Sequence, residues 1–344
     1  MAFGRLRGGA EAALRPLLRH RLVLRTAVVV VVAVCVVVST VWFAAARSRT
    51  TGASSAAAFV PVSSPSATPS PPPSPSAVPT PSPSPTPKPT FTKSARKNLT
   101  KRLGAYLDGR SGELSVQIED LKTGLSYGYN TKQRHATASI VKADILVTLL
   151  LRAQRDKRGL NANERALAKR MITASDNDAA TALWNEVGGS AGVAAANKKL
   201  RLRNTAPGPA GYWGATMTTV ADQIRLLKTL TSAKSPVNAK NRAYALDLMG
   251  DVLSSQDWGV SAAGGRGDTT ALKNGWLPRA VDGGLWTINS IGRVRGDDHD
   301  YLIAVLTTRD HSMGDGIATV EHVSEMVGDA LSKAISTSTA PKNP

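Results

Sequence analysis

The sequence holds a single cysteine, Cys35, among 344 residues. That excludes a disulfide framework and any zinc site built on cysteine. Histidine is scarce too: His20, His135, His299, His311 and His322 show no metal-ligand spacing. Aromatic residues make up 5% of the chain, and 25 acidic residues face 43 Lys and Arg, a net charge of +18. A nucleic-acid binder concentrates such an excess on its folded domain and interleaves aromatics. Here residues 1–97 carry 12 basic residues against Glu11 alone, and residues 98–344 carry 31 against 24. Most of the excess precedes any segment able to build a core, so nucleic acid is not an expected partner.

The chain falls into a sequence of parts. Residues 1–26 carry Arg5, Arg7, Arg15, Arg19, Arg21 and Arg25. Residues 27–46, AVVVVVAVCVVVSTVWFAAA, have no charge. As a helix they would rise about 30 Å, the thickness of a bilayer core. The arginines predict a cytoplasmic N-terminal end and a single-pass anchor, with Trp42 and Phe43 at the outer interface. A signal peptide cleaved near Ala44-Ala45-Ala46 is the alternative; the run is long for one, and both readings export the rest of the chain. Cys35 follows Val34, too large a residue for a lipoprotein cleavage site.

Residues 47–92 hold thirteen prolines between Pro61 and Pro89 among Ser, Thr and Ala. With no apolar face to bury, this stretch is expected as a disordered, polyproline-rich linker. At about 3.1 Å per residue it reaches on the order of 130 Å, which suits a spacer through a cell wall.

Residues 93–336 read as one globular domain, followed by a disordered tail at 337–344. Residues 95–108 have a helical period. Residues 113–120 and 125–130 alternate as strands around the turn at 121–124. A mainly helical stretch runs from 139 to 231, broken near Pro207 and Pro209. Strand-like runs follow at 269–276, 285–294 and 301–309, and a helix closes at 319–335. Asp297, Asp298 and Asp300 between the last two strands read as a solvated turn. The order predicts an α+β fold (in the broad sense, α/β): an antiparallel sheet of about five strands flanked by terminal helices, with a helical lobe inserted after the second strand.

Three short motifs could carry chemistry. In Ser139-Ile140-Val141-Lys142 a serine opens an apolar helix, where N–H groups favour developing negative charge, and a lysine follows one turn later. Ser175-Asp176-Asn177 puts a hydroxyl and an amide on one turn between helices; it also reads as a plain helix cap. Lys273-Asn274-Gly275 lies in a strand-like run, where a lysine could meet a carboxylate and a glycine could admit a substrate backbone. Singly each is weak, since Ser94-Ala95-Arg96-Lys97 and Lys122-Thr123-Gly124 match two of the patterns by chance. Only the three named motifs occur in the order S-x-x-K, S-D-N, K-x-G on the element types that the chemistry needs.

That set resembles the class A β-lactamase-like serine hydrolases of the penicillin-recognising, D,D-peptidase superfamily. The resemblance implies that Ser139 is acylated by a β-lactam or an acyl-D-alanyl-D-alanine amide, with Lys142 as its base. Ser175 would relay a proton to the leaving nitrogen. Asn177, Lys273, Asn274, Gly275 and Trp276 would bind substrate, and the N–H groups of Ser139 and Trp276 would form the oxyanion hole. It implies peptidoglycan stem peptide or β-lactam as partner and neither cofactor nor metal; with the anchor read from residues 1–46, the expectation is a monomer on the cell membrane with its catalytic domain extracellular.

Three departures qualify it. Ser139 and Ser175 are only 36 residues apart, so the lobe is reduced. Asn274 replaces the threonine of the third motif, an amide standing in for a hydroxyl. Between Glu186 and Asp222 the chain has no Asp or Glu, whereas class A enzymes carry a water-activating glutamate in that loop. The expected consequence is acylation with slow release. This tilts the function toward a D,D-carboxypeptidase or transpeptidase, or toward a sensor that acylates without turnover.

Overall fold

The computed structural model describes residues 89–209 and 211–339. The basic segment, the apolar run, the linker up to residue 88 and the end of the tail lie outside the described residues. Among the described residues, no helix is long and apolar enough to cross a membrane.

Helix α1 (Lys93–Leu107) starts where Thr92 Oγ1 accepts the Ala95 N–H, and buries Leu99 and Leu103. Strands β1 (Glu113–Asp120) and β2 (Ser126–Tyr129) form the expected hairpin. After the helical lobe come β5 (Thr269–Pro278), β6 (Trp286–Arg295) and β7 (Asp300–Thr308). The five strands form one antiparallel sheet in the order β2-β1-β7-β6-β5. All nine residues of β7 are buried, as a central strand covered on both faces requires. Leu302, Ala304 and Leu306 face the lobe; Tyr301, Ile303 and Val305 face α1 and the closing helix. β5 is an edge strand, so one side of its backbone is free for the site.

The closing helix, α8 (Met313–Thr339), buries Val320, Val323, Met326, Val327, Leu331 and Ile335 against the sheet. It begins six residues before the expected start and runs past residue 335 into the segment expected as tail. In the sequence its first turn, Met-Gly-Asp-Gly, lacks the apolar period that marks the rest. The turn between β6 and β7 also differs from expectation: Asp297 and Asp298 are exposed, but Asp300 is buried and paired at 2.7 Å with Arg293.

The lobe contains α2 (Val141–Arg155), α3 (Ala162–Thr173), α4 (Asn177–Glu186), α5 (Gly189–Leu200), α6 (Val220–Thr231) and α7 (Ala239–Gly250). α2 is buried almost all round and forms the centre of the lobe. α3 opens with a reciprocal cap between Asn161 and Glu164. Arg158 also clasps Glu164 through two 2.8 Å bonds, and holds that carboxyl down to about 2. Strand β4 (Met217–Thr218), between α5 and α6, pairs with β3 (His135–Ala136), just before α2, in a two-residue ladder too short to leave a pattern in the sequence.

Candidate active site

Ser139 sits in a single 3-10 turn, Ala138–Ile140, that leads into α2. The residue before it, Ala138, has φ +47°, a left-handed conformation that costs a non-glycine residue about 1 kcal/mol or more. Its surroundings hold that strain. Asn289 on β6, fully buried, donates to Ala136 O at 2.8 Å and Thr137 O at 3.0 Å. The Thr137 N–H donates to Thr216 O at 2.8 Å. Gly275 on β5 closes the third side. A Cβ there would lie 2.6 Å from Ser139 N, 2.7 Å from Ile140 N and 2.7 Å from Thr137 O. The glycine is therefore required by the backbone around Ser139, where the sequence suggested room for a substrate backbone. Ser139 Oγ and N–H make no hydrogen bond to a described residue, so both are free for a substrate.

One turn into α2, Lys142 is fully buried. Its Nζ donates to Ser175 O at 2.6 Å and Asn177 Oδ1 at 2.7 Å, and lies 3.2 Å from Ser175 Oγ. Burial lowers its pKa to about 8, opposed by the charge of Asp176. Ser175 itself has φ +54°, a second strained residue at the site. Asp176, between Ser175 and Asn177, caps α4 by accepting the Ala179 N–H at 2.8 Å. The tripeptide is thus a helix cap and a site element at once.

Lys273 on β5 reaches the same hydroxyl from the opposite side, with Nζ 3.0 Å from Ser175 Oγ and 3.0 Å from Asn274 O. Its pKa is pushed well below the lysine range, first by burial and then by the charge on Lys142. Sharing one oxygen, the two ammonium nitrogens are no more than about 6.2 Å apart. Two full charges at that distance repel by about 3 kcal/mol at an effective dielectric near 20, so the pair favours shedding a proton near neutral pH. A neutral Lys142 keeps two protons on Ser175 O and Asn177 Oδ1 and has its lone pair for a hydroxyl proton.

Asn274 departs from its expected role. It is fully buried, and Nδ2 donates to Gln256 O at 2.8 Å and Trp258 O at 2.9 Å. Gln256 Nε2 in turn donates to Ala174 O at 3.1 Å. Asn274 braces β5 to the loop that supports Ser175, with no N–H left for a substrate carboxylate. Trp276 stands half-buried against Trp258, ring centres 5.9 Å apart.

Trp213 was not legible as a site residue. It lies in the loop before β4, in the short 3-10 turn Trp213–Ala215. Its ring covers Lys142, with Nζ 4.8 Å from the centroid, and its Nε1 donates to Thr181 Oγ1 at 3.1 Å. Thr137 Oγ1, two residues before Ser139, donates to Gly214 O at 3.4 Å. The acidic residues flanking this loop have partners elsewhere. Glu186 ends α4 beside Glu164, and burial next to that carboxyl raises its pKa. Asp222 is buried in α6, accepting from Asn204 N, Thr205 Oγ1 and Arg225. His135 is a core residue, held by Ser115 Oγ and Thr308 Oγ1 and kept neutral by burial, which lowers its pKa to about 4. Among the described residues, no group of three or more His, Cys, Asp or Glu could hold a metal ion.

Comparison with known proteins agrees with this geometry. The model of the beta-lactamase enzyme family matches residues 98–164 and 154–331. "Putative lipoprotein LppW" of Mycobacterium tuberculosis (strain ATCC 25618 / H37Rv) is 28% identical over 200 residues, which is 56% of this chain. The match spans 62% of the length of that relative. Among solved structures, the TLA-1 extended spectrum beta-lactamase superposes with TM-score 0.63 at 16% identity, covering 69% of this chain and 99% of its own. PBP-A superposes with TM-score 0.60 at 21% identity, covering 69% and 96%. At these identities the structural likeness establishes the fold.

Proposed function

The chain belongs to the beta-lactamase enzyme family, and from that membership we propose that it is a serine acyl-transfer enzyme. In this reading Ser139 opens β-lactams or acyl-D-alanyl-D-alanine amides of peptidoglycan and releases the acyl group slowly. The observation that carries it is the convergence of Lys142 and Lys273 on Ser175 Oγ, with Asn177 holding Lys142, beside an unengaged Ser139.

The chemistry follows from those contacts. Neutral Lys142 takes the Ser139 proton as Oγ bonds to the substrate carbonyl carbon. Negative charge gathers on the carbonyl oxygen, where the Ser139 and Trp276 N–H groups stabilise it. The C–N bond then breaks. Ser175 gives its proton to the leaving nitrogen and recovers one from Lys142, which ends neutral. Lys273 stabilises the Ser175 oxygen during that relay and attracts the substrate carboxylate. Asn177 and the Ser175 carbonyl hold Lys142 in place.

Two observations favour a D,D-peptidase-like or non-turning-over enzyme over an efficient lactamase: no carboxylate lies between residues 186 and 222, and an indole covers Lys142. A substituted PBP-A of the same fold has been captured as an acyl-enzyme with penicillin G. For location, the relatives' lipoprotein names support membrane association. With Val34 before Cys35, we assign the tether to the apolar run 27–46 as a single-pass helix, which places the domain outside the cell. The test is intact mass after mixing the protein with a β-lactam, alongside Ser139→Ala. The parent is expected to gain one persistent adduct and the variant none. A parent that never gains an adduct, from β-lactams or peptide mimics, refutes the proposal.

A further inference from the structure

We propose that Trp213 sets the lifetime of the acyl-enzyme by covering one face of Lys142 against water. The inference rests on the acyl-enzyme reading above and names the residue that governs its slow step.

Lys142 Nζ has three oxygen neighbours, Ser175 O, Ser175 Oγ and Asn177 Oδ1, and the Trp213 ring. A water hydrogen-bonded to Nζ sits about 2.9 Å away. Placed on the line to the ring, 4.8 Å from Nζ to centroid, it would lie about 1.9 Å from the ring centre, far inside contact distance. On the face covered by the indole the amine therefore has no place to hold a hydrolytic water. No carboxylate substitutes for it: the loop has none, the flanking Glu186 and Asp222 are engaged elsewhere, and Asp176 is held by Arg170 and the Ala179 N–H.

The ring is also built in. Its indole N–H is fixed by Thr181 Oγ1, which itself donates to Asn177 O at 2.9 Å. The Trp213 carbonyl accepts from Thr216 Oγ1 at 2.7 Å. The Thr216 carbonyl in turn holds Thr137, two residues before the nucleophile. The indole is thus tied to both the α4 side and the Ser139 side of the cleft. It is a positioning residue: it touches the base and keeps water from it.

Hydrolysis of the ester requires water oxygen to bond to the acyl carbon, the carbon–Ser139 Oγ bond to break, and a base to carry the water proton to Oγ. Opening the indole's place gives Lys142 access to such a water. In the full chain, Trp213→Ala is expected to shorten the adduct lifetime at least about tenfold, the low end of a general-base effect being near a hundredfold. The acylation rate should fall, because an amine opened to solvent holds its proton more tightly, so a shorter adduct lifetime cannot be put down to a more reactive base. Trp213→Phe keeps the covering face and loses only the Thr181 bond, so its lifetime should stay within about threefold of the parent. Trp213→Gln, of similar reach but polar, should behave like the alanine variant and serves if that one fails to fold. Acylation and adduct loss are followed separately by intact mass, with melting temperature as the folding control. Folded Ala and Gln variants that acylate yet keep the parent lifetime overturn the proposal. So does a Phe variant that loses its adduct as fast as the Ala variant. A parent that forms no adduct refutes the acyl-enzyme reading instead.

Discussion

Gly275→Ala tests the architecture of the nucleophile turn. The added Cβ would sit 2.6 Å from Ser139 N and 2.7 Å from both Ile140 N and Thr137 O. Ordinary contact begins near 3.4 Å, so β5 and the turn must separate by about 0.8 Å. Neither side yields easily. β5 is paired along its length with β6, and the turn is held by Asn289 and Thr216. Overpacking of this kind costs about 1–3 kcal/mol. For a domain of this size that is roughly 2–4 °C of melting temperature per kcal/mol, so a drop of about 5 °C is expected. Function should suffer more than stability, because the same movement pulls the Ser139 N–H away from Trp276. Displacement of a catalytic group by about 1 Å can cost a hundredfold in rate. The assay pairs thermal unfolding with the rate of adduct formation from a β-lactam. A variant that melts within about 1 °C of the parent and acylates at the parent rate would refute the reasoning.

Two further predictions concern pH. The acylation rate should rise about tenfold per pH unit toward pH 8 and level off above it, because only neutral Lys142 can accept the Ser139 proton and its pKa lies at about 8; a flat profile between about pH 6 and pH 9 would refute this assignment. Asp144, buried in α2 with no hydrogen-bond partner for its carboxylate oxygens, is pushed up to about 7 by burial, the Asn197 amide opposing and Asp222 adding to the shift. The folded state therefore binds this proton more tightly than the unfolded state, and the group's contribution to stability falls as pH rises from about 4 to about 7. Asp144→Asn should leave stability near pH 4 almost unchanged and raise it at pH 8 by on the order of 4 kcal/mol, read from unfolding curves at both values. An equal effect at the two pH values would count against it.

Much of the fold was legible because its elements carry their own periodicity. β1 matches its expected range, and α1 and the three C-terminal strands lie within two residues of theirs. α7 was missed: it buries only Ala245, Leu248 and Met249, a face too narrow to stand out in AKNRAYALDLMG. In the candidate site, Ser139, Lys142, Ser175, Asn177 and Lys273 were named from three motifs in order; the structure joins the last four by hydrogen bonds and sets Ser139 one turn before Lys142. For Asn274 and Gly275 the structure shows packing roles that the motif did not announce. Their roles depend on what lies across β5, the Gln256–Trp258 backbone for one and the Thr137–Ile140 turn for the other. Asn289 and Trp213 were not found, since a lone Asn in a strand and a lone Trp in a loop carry no local signal.

The sequence by itself determined the strand and helix order, the three motifs and the absence of a carboxylate between residues 186 and 222. These are properties of neighbours along the chain, set by periodicity, capping and composition. The tertiary structure decided that two lysines 131 residues apart, Lys142 and Lys273, share one serine hydroxyl. It also decided that burial, more than any adjacent residue, depresses both lysines. And it decided that an indole covers the face of Lys142. Desolvation, charge repulsion and steric closure act through space, so they come into being only when the lobe closes on the sheet.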